Sequence, residues 1–169
     1  MKIVYLLIGA KGSGKSYIGL LMKKHLGIEF LNVENFFIEG IKYPDKFDEK
    51  ENTKVWLKIE KAIDKKLINY KSVSIESVGV FDSFKNFLEK LKLKYSVKLI
   101  KIETPLELCF ERMLKRPRSG QIKLSIDSVK EMNKMFLKEK YKFDLIVDNK
   151  DLSDDTIIEK IKNSSVLNV

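Results

Sequence analysis

The 169 residues, at 19.7 kDa, have the length of one domain and enough chain to bury a single sizeable core. A 44% hydrophobic and 10% aromatic content with eight Gly and three Pro excludes disordered and fibrous classes, and one cysteine excludes an internal disulfide, so a reducing, cytoplasmic setting is the simpler expectation. The net charge of +9 arises from 33 basic against 24 acidic residues, and all the basic ones are lysines except Arg112, Arg116 and Arg118.

The first apolar run, Ile3–Ile8, is six residues, shorter than the apolar part of a signal peptide and far short of the roughly 20 residues that cross a bilayer. It reads as a buried parallel strand, and with no other run of membrane length no membrane partner is expected. Ile18, Leu21, Met22 and Leu26 then repeat at helical spacing up to Gly27, a natural residue to end a helix. Further strands are expected at 28–33, 72–75, 97–102 and 143–147, where short β-branched runs stand between polar stretches. Val55, Trp56, Ile59, Ala62, Ile63 and Leu67 mark a long helix, and Phe84, Phe87, Leu88 and Leu91 another.

Thr104-Pro105-Leu106-Glu107 has the pattern of a capping box with Pro at the first helical position, predicting a helix to about Lys115. Helices over 126–140 and 153–162 complete the chain. Strands alternating with helices predict an α/β fold, a three-layer αβα sandwich on a parallel sheet. No linker or internal repeat divides it, so residues 1–169 are expected to form a single domain.

Between the first strand and the first helix, Gly9-Ala10-Lys11-Gly12-Ser13-Gly14-Lys15-Ser16 fits G-x-x-x-x-G-K-[ST] without a gap. Glycines at Gly9, Gly12 and Gly14 let backbone N–H groups turn inward around a phosphate chain, and the following helix adds its N-terminal dipole. Lys15 then reaches the β and γ phosphates and Ser16 offers its hydroxyl to Mg²⁺, while Ser13 and Lys11 either add contacts or face solvent. Two GTPase-like traces compete with an ATP reading. Glu76-Ser77-Val78-Gly79 is a D-x-x-G element with Glu for Asp, and Asn149-Lys150-Asp151 approaches N-K-x-D. Leu152 stands where that motif needs the Asp that pairs with guanine.

The loop at the start of the chain and the arginines after a late helix resemble small P-loop kinases of the shikimate, gluconate and nucleoside monophosphate kinase group, within the P-loop NTPase superfamily. The resemblance implies a five-stranded sheet of order 2-3-1-4-5, with the substrate pocket at the carboxyl ends of its strands. It implies ATP and Mg²⁺ as cofactors and a small-molecule or nucleotide acceptor. An acidic residue after the second strand works near Mg²⁺ and the acceptor hydroxyl in such kinases, and Glu34 is its match, with a plain helix-initiating Glu as the other reading. Glu76, ending its strand, is the Walker-B-like candidate for a water-mediated Mg²⁺ contact, or a loop carboxylate.

The segment about 116–125 falls where these kinases carry a small lid, making Arg116 and Arg118 the candidates to close over ATP and stabilise charge on the transferring phosphoryl group. Arg112 either caps the sheet side or stacks on adenine. Asn149 sits in the implied adenine-contacting loop, where only backbone contacts are expected.

The pattern also departs from its relatives. Shikimate kinases have a run of glycines after the third strand and a further Arg beyond the lid; here Ser77-Val78-Gly79 stands there and no Arg follows Arg118. Nucleoside monophosphate kinases bring Arg to the acceptor phosphate from the region after the second strand, where this chain has no Arg between Glu34 and Ile75, only lysines such as Lys42, Lys46 and Lys54. The stretch from Phe36 and Phe37 to Tyr43 and Pro44 either lines an acceptor pocket or packs the core. His25, Cys109 and Trp56 read as structural. The lysines, interleaved with Asp and Glu, read as a solvated surface, so no nucleic-acid partner is expected, and nothing indicates an oligomeric state. The expected function is transfer of the γ-phosphoryl of Mg·ATP to a small acceptor. The competing class is a non-catalytic or regulatory ATP-binding module, or an ATPase.

Overall fold

The computed structural model of the chain describes residues 2–116 and 121–167. Its elements run β1 (Ile3–Ile8), α1 (Lys15–Leu26), β2 (Glu29–Phe30), α2 (Glu34–Gly40), a 3-10 turn (Pro44–Lys46), α3 (Glu49–Asn69) and β3 (Ser72–Ser77). They continue with α4 (Asp82–Lys94), β4 (Ser96–Glu103), α5 (Leu106–Lys115), α6 (Ile126–Lys138), β5 (Leu145–Asp148) and α7 (Asp154–Lys162). The strands form one parallel sheet of order β2-β3-β1-β4-β5, the expected three-layer architecture.

Because side chains alternate across a strand, β1 feeds two cores. Val4, Leu6 and Ile8 join α3 and α4 residues such as Trp56, Ile59, Phe84 and Leu91 on one face. Tyr5 and Leu7 join Ile18 and Met22 of α1 and Ile157 and Ile161 of α7 on the other. The register sets Leu7 opposite Glu76 and Ile8 opposite both Ser77 and Lys101, so the loop after β1 and the end of β3 emerge at one edge.

Three local expectations are corrected. The second strand is only Glu29–Phe30, because the Asn32 side chain accepts the Glu34 N–H at 3.0 Å and turns the chain directly into α2. At Thr104 there is no capping box: Pro105 (φ −52°, ψ 138°) is itself the cap of α5, without a side-chain cap bond. The Thr104 hydroxyl donates instead to the Ser13 carbonyl at 3.1 Å, bracing the loop from β4. Third, α3 begins six residues before Val55, at Glu49, capped by Asp48, whose carboxylate accepts the N–H groups of Lys50 and Glu51. Glu49 in turn accepts the Asp82 and Ser83 N–H groups at 2.9 and 3.0 Å, capping α4 from a neighbouring helix.

Candidate functional site

The phosphate loop is held by the side chains of Thr104, Asn133 and Asn149 and by backbone carbonyls of β4 and α5. Gly12 and Gly14 both have φ of +93°, the left-handed region that favours glycine. A Cβ on Gly12 would stand 2.2 Å from the Cys109 carbonyl oxygen, and one on Gly14 would stand 2.2 Å from the Asn149 amide nitrogen. One on Gly9 would stand 2.5 Å from the Ile102 carbonyl oxygen, so β4, α5 and the loop after β5 all press on this turn. Thr104 and Asn149 both donate to the Ser13 carbonyl, Asn149 at 2.8 Å. Asn133, buried on α6, accepts the Lys11 N–H at 2.8 Å and returns its amide to the Lys11 carbonyl at 3.4 Å.

The side chains inside this cradle are those expected of a phosphate and metal site. Lys15 is buried and donates to the Gly9 and Ala10 carbonyls at 3.0 and 2.8 Å. Burial pulls its ammonium down to about 8, against the opposing pull of Glu76. The Ser16 hydroxyl lies 2.8 and 2.7 Å from the two carboxylate oxygens of Glu76. Among the described residues the fully buried Ser13 hydroxyl has no partner. An orphaned donor and a lysine resting on carbonyls are groups that a phosphate chain would satisfy.

Mg²⁺ takes hard oxygen ligands and keeps several waters, bound through one or two protein groups plus substrate phosphates. A hydroxyl paired with a carboxylate beside the cradle fits that mode. Among the described residues no cluster of three or more His, Cys, Asp or Glu could hold a metal unaided.

The other sequence candidates fall around the cradle. Glu34 opens α2, and its Oε1 accepts from Lys11 Nζ at 2.9 Å and from the Ile122 N–H at 3.1 Å. Exposed Arg116, with Met113 and Gln121, borders the small cavity formed with Gly12, Gly14, Ser16, Glu34 and Glu76. Arg112 donates to the Lys150 carbonyl at 3.1 Å, so it braces the loop after β5. Arg118 lies outside the described residues. The buried Asn149 side chain also donates to the Ser13 carbonyl and so secures the phosphate loop, a role the sequence did not show.

A cavity of about 150 Å³ opens beside the loop, reached by Lys11, Lys15, Glu34 and Glu76 and otherwise walled largely by apolar side chains. Phe37, Ile41, Pro44 and Phe47 form one wall, and Val78 and Phe81 another. Trp56 is more than helix packing: it stacks on Phe87 at 4.6 Å, meets Phe37 edge-on at 5.1 Å and also faces the cavity. Ile122 and Leu124 form a roof, tied down by the bond from the Ile122 N–H to Glu34 and by one from the Ser125 N–H to Asp45 at 2.8 Å.

Asn133 and Asn52 are the residues that motif reasoning passed over. Both interrupt apolar helical stripes, Asn133 within Val129, Met132 and Phe136, and Asn52 ahead of Val55, Trp56 and Ile59. A buried asparagine on such a stripe is the signal that could have found them.

No protein-family model matches the chain. A shikimate kinase of Persephonella marina (strain DSM 14350 / EX-H1) is 29% identical over 134 residues, covering 78% of this chain and 79% of the relative. Among solved structures, an unliganded sugar kinase from Janibacter sp. HTCC2649 superposes with a TM-score of 0.69 at 15% identity, covering 99% of this chain and 96% of the other. The APS kinase of Mycobacterium tuberculosis, in complex with AMPPNP and APS, superposes with a TM-score of 0.65 at 18% identity over 95% and 96% of the two chains. The chain has the fold of P-loop small-molecule kinases and resembles them in sequence.

Proposed function

We propose that this chain is an ATP-dependent phosphotransferase that moves the γ-phosphoryl group of Mg·ATP to a small acceptor held in the cavity beside the phosphate loop. The observation that carries the reading is the Ser16 hydroxyl on both oxygens of Glu76, a carboxylate that with Lys15 lines that cavity. A nucleotide-binding module needs the cradle alone, whereas a phosphotransferase also needs an acceptor chamber that excludes water beside it.

In this reading the backbone N–H groups of 9–16 take the phosphates, and Lys15 leaves the Gly9 and Ala10 carbonyls to bridge them. Ser16 and Glu76 hold Mg²⁺, Ser16 directly and Glu76 through water. A metal held there would supply neutralisation of the charge on the transferring group. Glu34 orients the acceptor hydroxyl and takes up its proton, its charge balanced by Lys11. Residues 116–125 act as the lid, with Arg116 and Arg118 reaching the γ-phosphoryl, and Arg112 steadies the loop against which adenine sits.

Acceptor-dependent ADP release, screened over nucleosides, nucleotides, sugars and hydroxy acids, tests the reading. Turnover is expected with at least one acceptor, and Glu34→Gln is expected to lower kcat by about a hundredfold or more, the scale of a lost general base. ATP binding with no acceptor-dependent turnover would overturn it in favour of a binding module.

A further inference from the structure

Asn52 stands in the first turn of α3, about 93% buried, on the wall of the apolar cavity. Its backbone N–H bonds to the Asp48 carbonyl, but no other described residue hydrogen-bonds to its side-chain amide. That amide lines the cavity with no side-chain partner among the described residues, which leaves it to solvent or to a ligand entering there. Such a group is retained where a ligand supplies the missing partner.

The rest of the cavity narrows what that ligand is. Its four ionisable groups, Lys11, Lys15, Glu34 and Glu76, also line the phosphate cavity, so charge is confined to the end where transfer occurs. No arginine is among the described lining residues, Lys11 is paired with Glu34, and Lys15 belongs to the phosphates. A carboxylate or phosphate at the deep end would be desolvated with no cation to meet it. Phe37, Phe47, Trp56 and Phe81 instead offer ring faces and edges, and an apolar cavity of about 150 Å³ is the size that accepts one aromatic ring.

We propose that the acceptor is an uncharged heteroaromatic alcohol of the nucleoside type: its ring lies among these aromatics, its donor–acceptor edge pairs with the Asn52 amide, and its hydroxyl points to Glu34 and the phosphate loop. An asparagine amide presents a donor and an acceptor side by side, the complement of an amino-heterocycle edge. The inference rests on the phosphotransferase reading and adds to it the acceptor class and Asn52 as the specificity-determining residue.

Trp56 is the only tryptophan in the chain and faces the cavity, so its fluorescence reports occupancy directly. Purine and pyrimidine nucleosides are titrated against the full chain with and without ATP, beside shikimate and gluconate, and the same panel is scored for ADP release. Saturable quenching and turnover are expected with a nucleoside and not with the two carboxylates. Asn52→Leu is expected to raise the nucleoside KM about tenfold or more with a smaller change in kcat, and to erase discrimination against an analogue lacking the exocyclic amine.

The same variant is expected to leave the ligand-free Tm unchanged or raised, because no side-chain hydrogen bond among the described residues is lost with the amide. A structural asparagine would lower Tm and leave KM alone, and that result would overturn the assignment; Asn52→Ser serves if the leucine variant does not fold. Preferred turnover of shikimate or gluconate would overturn the acceptor class and leave the phosphotransferase standing. Failure to bind ATP would remove the phosphotransferase reading itself.

Discussion

The phosphate loop and the acceptor cavity meet at Lys11 and Lys15 and are built in opposite ways. The loop is eight consecutive residues whose shape is forced by backbone contacts and whose carbonyls are tied by Thr104, Asn133 and Asn149. The cavity is gathered from α2, the 3-10 turn, α3, the end of β3 and the segment before α6, and almost all of its wall is apolar. Triphosphate is the same in every ATP-using enzyme, so a local solution suffices for it. An acceptor has to be told from its competitors, and that takes side chains from distant parts of the chain.

The largest expected effect separates the two regions. Lys15→Met should lower kcat by about 10²–10³, the loss typical of removing one charge-stabilising donor at a transferring group. It should leave nucleoside quenching of Trp56 in the absence of ATP nearly unchanged. If acceptor binding fell as far as turnover, the two regions would not be separable.

Lys15 also gives the phosphate side a pH signature. With its folded-state value near 8 and an ordinary value of 10.5, the unfolded chain holds the extra proton between these limits. Stability of the ligand-free protein should therefore rise across that window, and Lys15→Met should flatten the rise. ATP brings negative charge that re-protonates Lys15, so its Kd should be level below pH 8 and weaken by up to about tenfold per pH unit above it. Denaturant melts and ATP titrations from pH 7 to 10 check both, with the variant subtracting the other lysines and tyrosines that titrate in the same range.

The sequence made the phosphate side legible because its geometry is written in adjacent residues: Gly9 to Ser16 follow a strand and open a helix, and the sheet order follows from the resemblance they carry. It misread Thr104, because a Thr-Pro-x-Glu string is a helix cap only when the hydroxyl is free to turn back, and the Ser13 carbonyl takes that hydroxyl. It passed over Asn133 and Asn52 because a helical stripe shows which face is buried and not what that face meets. The bond from the Asn149 side chain to the phosphate loop was not legible, since side-chain reach across 136 residues of sequence separation is a tertiary fact.

Asn149→Ala measures that reach at moderate scale. Removing the amide leaves Thr104, among the described residues, as the remaining side-chain donor to the Ser13 carbonyl, where the backbones of β4 and α5 also press on the loop. A buried hydrogen bond of this kind is worth about 1–2 kcal/mol, and stability should fall by that much. The KM for ATP should rise while nucleoside quenching holds, measured by denaturant melts and initial rates on one preparation.

The smallest expected effect concerns the pair that both regions share. Lys11 and Glu34 lie 2.9 Å apart with side chains 19% and 22% exposed, a half-buried pair that contributes within about 1 kcal/mol of stability. If Glu34 only starts α2 and anchors the roof through the Ile122 N–H, Lys11→Met and Glu34→Gln should be equally mild, because glutamine keeps an oxygen for that bond. If Glu34 takes the acceptor proton, Glu34→Gln abolishes most of kcat, while Lys11→Met, which keeps the carboxylate, lowers it only several-fold. Equal losses in the two variants would make the pair a hinge pin of the roof and return the acceptor proton to solvent.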